Sequence, residues 1–90
     1  MSVNRTDILI LLTLQTNDAD CSAFGLTISE MLDDLNANGN KKSRMTVYRR
    51  LKGLTENGYV AKGILENHAD TFYILASGKD LLKSTERKGN

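Results

Sequence analysis

Seven basic residues crowd one short stretch of this sequence: Lys41, Lys42, Arg44, Arg49, Arg50, Lys52 and Lys62, opposed between positions 41 and 62 by Glu56 alone. Cations at that density neutralise phosphates, and a guanidinium can also fork onto O6 and N7 of a guanine. Placed on a helix at about 100° per residue from Val47, Leu51 and Leu54 fall within about 40° of it, whereas Thr46, Arg49, Lys52 and Gly53 point away. Arg44 and Arg50 take opposite flanks of the apolar stripe. Tyr48 stands at its margin, where its hydroxyl reaches a phosphate or its ring packs on the core. Ser43 and Thr46 bring hydroxyls to the first turn, where free backbone N–H groups also favour a phosphate. The candidate DNA-contacting set is therefore Lys41, Lys42, Ser43, Arg44, Thr46, Tyr48, Arg49, Arg50 and Lys52, with Lys62 a weaker member. Arg49, Thr46 and Arg50 are expected to read or approach bases, and the rest to fix the register on phosphates.

Other chemistries lack their parts. A single His (His68) and a single Cys (Cys21) preclude a Cys/His metal cluster and a disulfide framework. There is no Gly-rich phosphate loop, no His-Glu-x-x-His and no nucleophile elbow, so neither catalysis nor a cofactor is expected. Glu30, Asp33 and Asp34 share one helix side and read as a solvated acidic face rather than an ion site. His68 reads as an exposed loop residue, and Cys21 has no base near it in sequence to activate its thiol. No small-molecule pocket is evident.

The elements that must position the basic stretch follow from capping and periodicity. At 90 residues the chain is one domain, 1–90, and its 40% apolar and 26% charged content is ordinary for a soluble globular protein. A first helix is expected over 4–14, capped by Asn4 or Thr6. Its run Ile8 to Leu14 is apolar almost all round, which predicts one face inside and another against a partner, hence a homodimer. Seven residues fall far short of the roughly 20 that span a bilayer. Asp7, Asp18 and Asp20 do not suit a signal or lipoprotein cleavage site, so a cytoplasmic protein with no membrane partner is expected.

A second helix over 27–35 opens on the capping box Thr27–Glu30 and carries Ile28, Met31, Leu32 and Leu35 on one face. Asn36 to Asn40 breaks it. Ser43 caps a third helix over 44–57, and Gly58 suits the left-handed position after it. The runs Tyr59–Leu65 and Thr71–Leu75, joined by a loop at 66–70, make a hairpin over 59–75. A short helix at 78–83 and a frayed tail at 84–90 complete the chain, and a tiny strand near Phe24–Leu26 would pair with the hairpin edge. The fold class is mainly α with a small β-hairpin (α+β): a winged helix-turn-helix with a three-helix core, a wing and a short C-terminal helix. A basic front is usually just solvated surface, but as the third helix of this order it becomes a reading head.

The stretch from Thr46 to Val60 resembles the recognition helix and following strand of winged-helix transcription regulators, especially the PadR-like and MarR-like groups. Tyr48, Leu51, Leu54, Gly58 and Val60 carry that resemblance; Phe72, Ile74, Gly78, Leu81 and Leu82 match the end of the wing and the last helix. It covers about 26–83 and implies sequence-specific binding of double-stranded DNA by a small transcriptional regulator, with the third helix in the major groove. The chain departs from the pattern in several places. Leu75 replaces the usual capping Thr, so that either Ser77 takes over or the cap is weak. Glu66 and Asp70 put acids on the wing tip. The residues after the wing are too few for long dimerisation helices, so the first helix would have to supply any dimer contact. The turn at 36–42 exceeds a tight helix-turn-helix turn, and its Lys41 and Lys42 are placed to track the backbone.

The net charge of +1 speaks by itself against a nucleic-acid partner. Divided at residue 40, however, it is one base against six acids, or −5, followed by eleven bases against five acids, or +6. The competing reading is a winged-helix module for protein contact, or a replication or partition accessory. The acidic wing and near-neutral total favour it.

Overall fold

The computed structural model describes residues 2–88. Seven elements alternate along the chain: α1 (Arg5–Thr16), β1 (Leu26–Thr27), α2 (Ile28–Ala37), α3 (Arg44–Glu56), β2 (Val60–Lys62), β3 (Thr71–Ile74) and α4 (Ala76–Lys88), with one 3-10 turn at Ser22–Phe24. The sheet is antiparallel in the order β1-β3-β2, with Leu26 opposite Phe72 and Val60 opposite Ile74. The tiny strand expected before α2 therefore exists and pairs with the wing.

α1 begins where Asn4 and Asp7 each accept the other's backbone N–H, at 3.0 and 2.9 Å. Thr27 and Glu30 repeat that capping box on α2, and Ser43 caps α3 through the N–H of Thr46 at 3.1 Å. Three helices end alike. Asn17, Asn38 and Asn57 stand at the C-caps of α1, α2 and α3, and each donates its amide to the carbonyl four residues back, at 2.8 Å. The following residue is left-handed in each case: Asp18, Gly39 at φ +76° and Gly58 at φ +78°. The next N–H then reaches back to Leu14, Leu35 or Leu54, closing a Schellman motif three times.

α1 packs against α2, α3, α4 and β3, which explains most of its all-round apolarity. Ile10, Leu11 and Leu14 are fully buried, while Ile8, Leu9 and Leu12 are half-buried on its outer side. Met31 and Leu35 of α2 meet Val47, Leu51 and Leu54 of α3 in the same core, closed by Val60, Phe72, Ile74 and Leu82. Among the described residues, every buried side-chain polar atom has a hydrogen-bond partner.

Three expectations need correction. The last helix is not a stub at 78–83: it starts at Ala76 and runs to Lys88, taking in most of the tail expected to fray, with residues 89–90 outside the described part. No Pro or Gly interrupts 79–88, and the buried Leu82 anchors the helix to the core. Ser77 does not take over the cap, because its hydroxyl donates to the Gly58 carbonyl at 2.5 Å. The wing strands are also shorter than the runs 59–65 and 71–75. After Gly63, Ile64 donates to the carbonyl of Ser22 at 3.1 Å, and its own carbonyl accepts from the buried Thr71 hydroxyl at 2.6 Å, so the chain leaves the ladder. The tip is tight, with Asn67 and His68 both at positive φ between two backbone bonds joining Glu66 and Ala69, a type I′ geometry.

Candidate nucleic-acid interface

α3 turns its apolar stripe inward and leaves Arg44, Met45, Tyr48, Arg49 and Lys52 exposed on the opposite side. Arg49 and Lys52 project from the middle of that face, as the wheel from Val47 predicts. Lys41 is exposed and Lys42 half-exposed on the turn leading into the helix, so the turn adds two cations just before those of α3. The turn is held open by the Schellman motif at Gly39, not by a tight two-helix elbow. Ser43 is occupied at the helix start: it accepts from the Thr46 N–H and its hydroxyl donates to Thr46 Oγ1 at 2.9 Å. Thr46 is half-buried on the flank of α3 and faces outward less than the wheel suggests.

The sequence-predicted set divides. Arg44 lies exposed at the head of α3 and donates to Ser29 Oγ at 2.7 Å, tying the starts of α3 and α2 together. Lys62, at the base of the wing, pairs with Asp70 across the hairpin at 3.4 Å, both side chains more than half exposed. That pair offsets the one cation the wing contributes near α3. Arg50 departs most from expectation. Its Nε donates to Asp7 Oδ1 at 2.7 Å, and its Nη2 donates to Asp7 Oδ2 and to the Ser2 carbonyl at 3.1 Å. Asp7 is fully buried, so this guanidinium is held against α1, away from the outward face that carries Arg49. Hydrogen bonding to Asp7 raises the Arg50 guanidinium above its ordinary value, against an opposing effect of burial.

Sequence reasoning passed over Met45, which is 57% exposed beside Tyr48 at 50%. The same wheel contains the signal, since two positions before Val47 lies almost opposite it. Ile28, Arg44, Met45 and Tyr48 border a shallow depression there of about 510 Å³, giving the basic face an apolar spot suited to a thymine methyl. On the other side of the wing Phe24, Ile64 and Leu65 are exposed around a second depression of about 310 Å³, with Glu30 and Glu66 at its edge. Among the described residues no group of three metal-ligating side chains gathers, and no helix is long and apolar enough to cross a membrane.

No family model matches the chain. Over 84 residues it is 32% identical to the DNA-binding protein TubR of a Clostridium botulinum C phage, covering 93% of this chain and 98% of that one. The solution structure of the DNA-binding TubR fragment from Clostridium botulinum shares 32% identity over 94% of this chain and 99% of its own, with a TM-score of 0.67. A PadR family transcription regulator from Clostridium difficile matches 94% of this chain and 86% of its own with a TM-score of 0.78. At 16% identity that likeness is one of fold, and it bears out the PadR-like fold resemblance. The chain spans about half (53%) of the Francisella tularensis ferric uptake regulator, which matches 82% of this chain with a TM-score of 0.66 at 22% identity.

Proposed function

The chain belongs to the family of the DNA-binding protein TubR, and we propose that it binds double-stranded DNA with α3 in the major groove, as a small regulator of transcription or an accessory of replication or partition. The observation that carries this reading is the run of solvent-accessible cations Lys41, Lys42, Arg44, Arg49 and Lys52 on α3 and the turn before it, in a chain whose first 40 residues sum to −5. Arg49 is the principal base reader in this account. Lys41, Lys42, Arg44 and Lys52 hold phosphates, joined by the hydroxyl of Tyr48, while Ser43 stays committed to the helix cap and Thr46 approaches from the flank. Lys62 contributes little while paired to Asp70, and no reaction is assigned to the chain.

Two protomers pair, in this reading, through the outer side of α1. Ile8, Leu9 and Leu12 share that side, and Leu9 and Leu12 border an open cleft of about 480 Å³ that runs to Asn38 and Asn40. Their recognition helices would then sit about 34 Å apart to meet successive turns of the groove. The unpaired Cys21 fits a reducing cytoplasm.

Selection from a pool of random duplexes tests the reading. The wild-type chain should enrich a defined, near-palindromic site. Arg49→Ala should weaken binding to it by about 10- to 100-fold and relax one position, whereas Lys52→Ala should weaken all sequences alike. An Arg49→Ala, Lys52→Ala double variant with undiminished affinity would sink it. The exposed Phe24, Ile64 and Leu65 beside an acidic wing favour a second reading, protein contact. Absence of any duplex binding at low salt, where electrostatic attraction is greatest, would select that reading instead.

A further inference from the structure

The geometry points to Arg50 as a positioning residue that fixes the rotation of α3 on α1 through Asp7, and so aims Arg49 at the bases without itself touching DNA. This rests on the DNA-binding reading above. Val47, Leu51 and Leu54 bind α3 to the core through burial, which is non-directional and leaves rotation about the helix axis weakly determined. A forked contact supplies what burial does not, because both carboxylate oxygens must be met in one plane. Arg50 makes that contact with a fully buried Asp7, at 2.7 Å through Nε and again through Nη2. Asp7 is itself held, since it accepts the N–H of Asn4 in the capping box that starts α1, and the Arg50 Nη2 also takes the Ser2 carbonyl at 3.1 Å.

Arg49 is the next residue along the chain from Arg50. A rotation of α3 by about 20° would carry the Arg49 guanidinium some 2–3 Å at its larger radius from the helix axis. Contacts to base edges fail at displacements near 1 Å, whereas the count of nearby cations, which sets non-specific attraction, does not change. The paired Arg50 therefore serves discrimination, and its charge stays out of the salt dependence.

The test measures binding of three variants to the duplex that the wild-type chain selects and to a scrambled duplex of equal length. Asp7→Asn and Arg50→Lys should each lose about tenfold in affinity for the selected duplex, hold their affinity for the scrambled one, and keep the wild-type slope of log K against log salt. If Arg50 were a DNA contact held in reserve, Asp7→Asn would release it, tighten binding and steepen the slope by about one; that result overturns the inference. Should the single variants fail to fold, Asp7→Leu with Arg50→Met removes both charges, keeps the net charge and replaces the pair with apolar groups, which buried pairs commonly tolerate. An unchanged slope with lost discrimination supports positioning in that double variant, and a slope shallower by one contradicts it. A wild-type chain that binds neither duplex overturns the DNA-binding reading and the inference with it; wild-type binding with a tighter Asp7→Asn overturns the inference alone.

Discussion

Arg49 and Arg50 are neighbours with identical side chains, yet one is exposed and the other is bound to Asp7, because they stand about 100° apart on α3. The wheel from Val47 put Arg50 on a flank, which was legible. Its partner was not, because Asp7 lies 43 residues earlier and only the packing of α1 against α3 brings the two together. Removing Asp7 strands a guanidinium whose remaining partner is one carbonyl. Asp7→Ala is thus expected to cost about 2–4 kcal/mol by urea denaturation, below the full value for a buried pair because Arg50 is 30% exposed. The acids of the wing make a prediction of opposite sign. Asp70 pairs with Lys62 through its side chain and Glu66 stands beside the tip, both acids exposed. Glu66→Gln with Asp70→Asn removes repulsion and frees Lys62, so affinity for any duplex should rise about three- to tenfold at low salt, with the gain shrinking as salt is added. Equal affinities across the salt range would place the wing away from the phosphates.

At the scale of elements, the helix starts were readable because their signals are local. Thr27 with Glu30, and Ser43 at the head of α3, are each settled within one turn. Helix ends were readable where glycine marked them and obscure where it did not. Gly58 announced its left-handed turn, whereas Asp18 performs the same role after α1 without the signature. Gly58→Ala should cost about 1–2 kcal/mol by thermal or chemical denaturation, from backbone strain alone, since an added Cβ meets no atom within 4 Å. The strands were overextended by the sequence pattern for a tertiary reason. The strand-like run from Tyr59 continues to Leu65, but Ile64 gives its N–H to Ser22 in a different part of the chain. The last helix was underestimated because polar residues such as Thr85 were read as a tail, although nothing in their propensities stops a helix already anchored at Leu82. The candidate face of α3 was largely visible, since amphipathic periodicity survives folding. Met45 carries no charge, so a pattern of cations gives no sign of it.

For the whole molecule, the net charge of +1 combines −5 over the first 40 residues with +6 over the rest. Such a protein gains little from bulk attraction, so in the proposed mode of binding specific affinity depends on α3 and on pairing of protomers. Pairing through α1 predicts a mass near 20 kDa in sedimentation, twice the 10.0 kDa of one chain, falling to one chain in Leu12→Glu. A concentration-independent mass of one chain would remove α1 as an interface. The central claim is that the band from Lys41 to Lys52 lies on DNA with Arg50 excluded from it. The most direct measurement is the salt dependence of binding to the selected duplex, wild type beside Lys52→Ala. Four or five phosphates neutralised per protomer predict a slope of about −3.5 to −4.5 per bound protomer in log K against log salt, shallower by about one per protomer in the variant. A flat wild-type dependence, or an identical slope in Lys52→Ala, would contradict it.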